Sequence, residues 1–271
     1  LPDVVVGEQV ISRSDLIRQR WLDNHFYGLV YSLMYNSSGR TSVTLGGGAH
    51  FYDGDHFGEI IWARYAQHAN IRHRYYDNNG FKRDMNSYLK ITHGFLPGLD
   101  GFADLQYRYV SYDFEGLAWV HDQLQPLEQN AVFHFFNPKA GLSWQLSPGQ
   151  RVYVYGGLAN REPVRRDFTE SSPESRPRHE RMLNLELGYS YQNPVLMLEG
   201  NLYVMRYTDQ LVLTGEMNDT GGFTRTNIDR SYRAGIELES VLRITSWLQW
   251  AANLSLSRNK IDHFVEFSDR Y

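Results

Sequence analysis

Arginine and aromatic side chains crowd one polar stretch, residues 53–84. Trp62, Arg64, Tyr65, Arg74, Tyr75 and Tyr76 lie there, with His68 and His73 among them. A guanidinium presents a planar fork of N–H donors that fits carboxylate-like oxygens, and aromatic rings stack on flat ligands. The set therefore suits a flat, anionic ligand. The alternative is that the same residues pack the stretch against its neighbours. Arg161, Arg165 and Arg166 open a second polar stretch, 161–180. They fit a carboxylate-bearing ligand, or ion pairs with Asp167, Glu170 and Glu174.

Other chemistry is poorly supplied. His50, His56, His68 and His73 invite a metal or haem, but no two of them have i, i+4 spacing on a recognisable scaffold. Asp53-Gly54-Asp55 hints at calcium and lacks the rest of an EF-hand loop. There is no G-x-S-x-G, no phosphate-binding Walker loop and no H-E-x-x-H. No catalytic residue, resident metal or cofactor is assigned, and no enzyme is expected. The chain has no cysteine, which removes disulfides and thiolate sites together. Its net charge of -4, without basic runs, argues against a nucleic-acid partner.

The elements that must position these residues show period-two alternation, in blocks separated by turn residues. In 41–52, Val43, Leu45, Ala49 and Phe51 share one face, and Ser42, Thr44, His50 and Tyr52 the other. Blocks 182–191 and 247–257 alternate as cleanly. Segments 27–35, 87–95, 103–112, 139–144, 152–159, 196–203 and 232–242 behave alike. This makes about ten strands, each near the roughly 9–11 residues that cross a bilayer when tilted. Connections alternate between short turns (37–40, 96–100, 146–149, 192–194, 244–246) and long polar segments (53–84, 113–130, 161–180, 214–229). Tight periplasmic turns and long extracellular loops are the outer-membrane arrangement, in which Arg161, Arg165 and Arg166 also suit lipopolysaccharide phosphates at the outer rim.

The two faces differ sharply. One carries Leu, Val, Ile, Ala and Tyr almost without charge, and a charge there would cost about 2–4 kcal/mol at mid-membrane. The other carries Lys90, Asp104, Arg108, Lys139, Glu186, Glu199, Glu237 and Glu239. The 14% aromatic content suits interfacial girdles. Trp144, Tyr191, Trp247 and Trp250 sit near short turns, and Tyr107 and Tyr109 toward the long connections. The expected fold is all-β: an antiparallel transmembrane β-barrel. A soluble sandwich would hide the same apolar stripe under a second sheet.

Ordered segments carry a family resemblance. They include Arg20-Trp21-Leu22-Asp23-Asn24-His25-Phe26-Tyr27-Gly28, Tyr52-Asp53-Gly54-Asp55-His56-Phe57-Gly58-Glu59 and Arg74-Tyr75-Tyr76-Asp77-Asn78-Asn79-Gly80. Phe136-Asn137-Pro138-Lys139-Ala140-Gly141-Leu142, Glu186-Leu187-Gly188-Tyr189, 207–215 and Gly235-Ile236-Glu237-Leu238 follow. The set resembles TonB-dependent outer-membrane receptors, especially those of Bacteroides-type bacteria. The resemblance implies a barrel of about 22 strands with a plugged lumen. It also implies import of a scarce bulky nutrient (a siderophore–iron chelate, haem or cobalamin) driven by the TonB complex. A plug domain and a TonB-engaging segment belong to that pattern, and neither is found in this sequence. Residues 1–271 are therefore expected to be a partial barrel domain, an internal piece ending in an extracellular loop and lacking the closing strands. A passive porin and a small enzymatic barrel of about ten strands are the alternatives. Pairing of 15–35 with 247–259 would favour a small closed barrel.

Overall fold

The computed structural model describes residues 4–6, 9–11, 15–37, 39–65, 72–120 and 123–268. Two short strands, β1 (Val4–Val6) and β2 (Gln9–Ile11), pair with each other. The remaining strands are β3 (Leu16–Asn36), β4 (Thr41–Ala63), β5 (His73–Leu96), β6 (Leu99–Val120), β7 (Gln123–Ser147), β8 (Gln150–Arg161), β9 (Glu180–Gln192), β10 (Leu196–Leu213), β11 (Arg225–Arg243) and β12 (Gln249–Ile261). They form one antiparallel meander of ten strands in sequence order. One helix, α1 (Arg165–Thr169), lies between β8 and β9. β3 and β12 are opposite edges and do not pair with each other, so a small closed barrel is excluded.

Every expected strand is present, but β3 to β7 run far beyond their alternating blocks. β4 spans 23 residues and β7 spans 25. The polar stretches 53–84 and 113–130, expected as loops, are mostly paired strand. The physical reason is that alternation records two different environments. Where water meets both faces the hydrophobic period disappears, yet the neighbouring strand still offers partners for each N–H and C=O. Two short turns, Pro97-Gly98 and Pro148-Gly149, join consecutive strands directly. Gly98 and Gly149 have φ of 79° and 80°. Proline followed by a glycine of positive φ is the type II pattern. A register shift beside each turn accommodates it, between Gly94 and Leu96 and between Gln145 and Ser147.

Directly paired residues share a face, so the register assigns both faces. One row runs Val154, Leu187, Leu202, Ile236 and Leu256 across five strands. Leu187, Leu202 and Leu256 are 49%, 46% and 60% exposed. Among the described residues no second sheet covers this face, which removes the sandwich alternative. A continuous apolar band of this extent is far larger than soluble proteins expose, and lipid is its matching solvent. On the opposite face Lys90, Asp104 and Lys139 stand directly beside one another on β5, β6 and β7. Glu199 pairs with Glu239, and Glu237 with Asn201. These charges lie on the polar face, as the alternation required.

The polar face is concave. Glu162, just after β8, contacts Lys82 on β5 at 3.0 Å. In a flat sheet those strands would stand about 14 Å apart. The segment can cross because β7 and β8 separate. They pair only from Lys139↔Gly157 down to the turn. Phe136 O accepts a hydrogen bond from Asn160 Nδ2, so alternate residues here direct their backbone groups toward β8. Pro138 belongs to that alternate set and has no N–H to give. Asn137 caps the parting: its Oδ1 accepts from Asn160 N at 3.0 Å and from Asn160 Nδ2 at 2.9 Å.

The chain between β8 and β9 fills the opening. Gln129 Nε2 donates to the carbonyls of Phe168 and Ser171, and Arg176 Nη1 to Asn130 O at 2.7 Å. Phe168 is fully buried against Val110, Tyr112, Phe114, Leu127, Ala131 and Phe135. Asp167, 2% exposed, pairs with Arg225 of β11. Above the membrane zone the concave face thus holds a small apolar core with the loop helix as its lid. Phe168→Ala should cost about 3–5 kcal/mol of local stability. The expected readout is faster proteolysis within 162–179 while the unboiled barrel keeps its compact gel migration. Unchanged cleavage would show that the helix is not anchored by this ring.

Candidate functional site

The widened upper part of the concave face gathers several of the sequence-singled residues. In β4, positions 54, 56 and 58 face inward as Gly54, His56 and Gly58. Gly54 lies directly opposite Gly80, His56 opposite Asn78, and Gly58 opposite Tyr76. A Cβ at Gly58 would strike the rings of Tyr75 and Tyr76, and one at Gly54 would strike Tyr52. Glycine here clears a floor on which aromatic rings lie flat. Tyr75 and Tyr76 meet edge to face at 5.1 Å, and Trp119 closes on Tyr75 at 5.6 Å.

Arg165, in α1, enters this floor from the loop. Its Nη2 donates to Asn78 Oδ1 at 2.5 Å, and its guanidinium carbon stands 5.7 Å from the Phe114 ring centre. Gly80 leaves room for the approach: a Cβ there would sit 3.3 Å from Arg165 Nε. Arg165 forms no ion pair among the described residues, and its Nε is buried without a hydrogen-bond partner. Burial pushes the guanidinium pKa down, opposed by the Tyr52 and Tyr76 phenols. His56 Nε2 and Tyr75 OH are likewise buried without partners. Burial first, and then the Arg165 charge, lower the His56 pKa from its ordinary 6.5 to about 4. A buried polar group left unbonded costs about 1–3 kcal/mol. Arg165 Nε and Tyr75 OH are donors already withdrawn from water, and His56 Nε2 is a third such atom that donates or accepts according to its tautomer, a preorganised arrangement for a polar ligand.

The neighbouring charges behave differently. Arg108 is clamped between Asp84 (2.6 Å) and Glu162 (2.9 Å), with Lys82 on Glu162. This network joins β5, β6 and the segment after β8 and leaves no cation free. Arg161 pairs with Glu180 at 2.9 Å, and Arg166 with Glu170 at 2.8 Å. Asp167, an expected partner for the arginine cluster, is taken by Arg225 instead.

The structure divides the sequence-singled residues into groups. Tyr75 and Tyr76 touch, and the Arg165 charge acts on Tyr76. Trp62, Arg64 and Tyr65 lie at the far end of β4 and just beyond it, where Arg64 pairs with Asp15 at 3.3 Å. Arg74 lies 3.7 Å over the Phe57 ring and pairs with Asp77, away from the floor. Asp53 and Asp55 lie on the convex face, where Asn79 Nδ2 donates to both at 2.7 and 2.8 Å. His50 stacks on Phe26 at 5.9 Å, and His73 begins β5. His68 lies outside the described residues. Gly54, Gly58, Gly80, Asn78 and Tyr52 were not singled out for ligand contact. The signal for two of them was the inward set Gly54-x-His56-x-Gly58, small residues flanking one imidazole at period two.

Comparison with known proteins places this geometry. No curated protein sequence matches the chain. Among solved structures, the copper transporter OprC superposes with a TM-score of 0.76 at 14% identity, covering 90% of this chain and 39% of that one. The ferric yersiniabactin uptake receptor FyuA from Yersinia pestis gives 0.64 at 13% identity, covering 90% and 37%. The alcaligin outer-membrane receptor FauA from Bordetella pertussis gives 0.62 at 14% identity, covering 93% and 41%. At these identities the likeness is one of fold, and the chain spans about two fifths of the length of each. Its ten-stranded meander, lipid band and inward-folded loop are part of a receptor wall. These relatives are outer-membrane transporters and receptors, not enzymes. With residues 7–270 matching the family described as TonB dependent receptor-like, beta-barrel, the chain belongs to the TonB-dependent receptor β-barrel family.

Proposed function

We propose that this chain is wall and external loop structure of an outer-membrane transporter that imports an iron chelate of the siderophore class, or haem, with energy from TonB. The observation that carries the reading is the concave floor around Arg165. An unpaired, half-buried guanidinium flanked by Tyr52, His56, Tyr75 and Tyr76 suits anionic oxygens on a flat, aromatic-rich ligand. FyuA and FauA, named for uptake of ferric yersiniabactin and for alcaligin, support the siderophore class. In this reading β3 and β12 continue into further strands of a barrel of about 22, since open edges are costly in lipid. A plug domain of the full-length protein engages TonB. The ordered motifs of the sequence support a Bacteroides-type member. OprC, named as a copper transporter, favours copper as the second reading.

The test is growth of a strain lacking the full-length gene with iron chelates, haem, cobalamin or copper as the limiting nutrient. A defect confined to iron chelates or haem is expected. Growth indifferent to both would overturn the proposal, and a defect with copper alone would select the second reading.

Two side chains probe the floor. Arg165→Gln should raise the half-saturating concentration for chelate uptake about tenfold or more, the scale of one charge-assisted hydrogen bond. Arg166→Gln, which loses only an exposed pair with Glu170, should leave it unchanged. Equal behaviour of the two variants would remove Arg165 from the ligand path. His56 has a folded pKa near 4, below its ordinary 6.5. Its contribution to stability is therefore complete above about pH 6.5 and declines as pH falls toward 4. His56→Gln should flatten that part of the acid-stability profile, followed by the midpoint of heat-induced gel shift. An identical profile would contradict a neutral, buried imidazole.

A further inference from the structure

The convex face carries a charge asymmetry immediately above the lipid band. The register places consecutive rows across the sheet. Above the row Val154, Leu187, Leu202, Ile236 and Leu256 comes Gly156, Leu185, Val204, Ala234 and Arg258. The next is Leu158, Leu183, Arg206, Tyr232 and Lys260, and the third is Asn160, Arg181, Thr208 and Arg230. Arg181, Arg206, Arg230, Arg258 and Lys260 thus share one face, and all are exposed. Strand and row spacings confine them to a patch roughly 15 Å across in either direction. None of the five forms an ion pair among the described residues; Arg181 donates only to Asn160 Oδ1, at 3.3 Å.

The other side of the same face is acidic and internally satisfied. Asp23 stands opposite Asp55, and Asp53 and Asp55 share the Asn79 amide. The arginines there are paired, Arg83 with Asp113 and Arg74 with Asp77, each at 2.7 Å. A merely solvated rim would have no reason to sort its charges so. Clustered like charges repel, and the one carboxylate adjoining them is Asp262, just past β12, whose N–H donates to Arg230 O at 3.1 Å and which forms no ion pair with the five among the described residues. Position supplies the missing counter-charge: the rows directly beneath are lipid-facing, so these cations lie at head-group level. Phosphate is the anion found there, and each Lys or Arg near an anionic lipid surface contributes about fivefold in affinity.

We propose that Arg181, Arg206, Arg230, Arg258 and Lys260 form a docking surface for the phosphorylated head group of lipopolysaccharide in the outer leaflet. This rests on the outer-membrane reading but not on the identity of the nutrient. It also moves the lipopolysaccharide contact away from the arginine cluster of the loop, where Arg165 turns into the concave face.

The experiment uses the full-length protein in detergent, with fluorescent lipid A and its dephosphorylated form as probes. Phosphorylated lipid A should bind more tightly. The double variant Arg206→Glu, Arg258→Glu should weaken it about tenfold or more while keeping the compact unboiled migration of a folded barrel. Should that variant not fold, Arg206→Gln with Arg258→Gln should show a smaller loss in the same direction. Arg83→Gln, in the acidic sector, should leave binding unchanged. Equal binding of both lipid forms, or no response to either double variant, would overturn the docking surface. Recovery of the protein outside the outer-membrane fraction would remove the reading beneath it, and the proposal with it. Loss of iron-chelate dependence in growth would leave it standing.

Discussion

Lipid on one face of the sheet is the constraint from which the rest of the structure follows. Hydrocarbon offers no hydrogen bonds, so backbone groups in the band must be paired by neighbouring strands. It also refuses charge, so Lys90, Asp104, Lys139 and the glutamates of β9 to β11 collect on the concave side. Ten strands in simple sequence order satisfy both demands at once. Above the band the constraint lifts. There the concave face changes from charged to apolar, with Val110, Tyr112, Phe114 and Phe135 building a core that lipid never touches.

The change depends on one local interruption. Proline at position 138 withholds a donor on the β8 side, and Asn137 substitutes its side chain for the lost ladder. Freed of its neighbour, the upper half of β7 bonds to the loop carrying α1. That places Phe168 in the core, Asp167 on Arg225 and Arg165 over the floor of Gly54 and Gly80. Ion pairs of Arg108 and Lys82 with Glu162 hold the start of the same segment. The segment carrying Arg165 is thus held to the wall through several independent contacts rather than left as a free loop.

The strands and faces were legible in the sequence because lipid and water imprint opposite residue types at period two. Leu183, Leu185 and Leu187 against Asn184, Glu186 and Gly188 is such an imprint. The strand extensions were not legible. Residues 53–63, 73–84 and 113–120 have water or protein on both sides, and nothing marks them as paired except the neighbour they pair with. Among candidate site residues, Tyr75, Tyr76 and Arg165 converge because β5 and the loop meet through a crossover that spacing does not encode. Arg74 could not be separated from Tyr75 by type. A register shift between Gly58 and Glu59 sends it to the other side, and such shifts leave no compositional trace.

The parting of β7 and β8 also bears on how such a protein diversifies. Residues 162–179 are inserted where the ladder has already ended, so their length and composition are decoupled from the register of the membrane strands. Substitution within this insert alters what the lumen presents without moving a row of the lipid band. A single Asn-Pro step therefore divides one sheet into two kinds of chain: a wall whose every residue is fixed by register, and an inserted segment that has no register to keep.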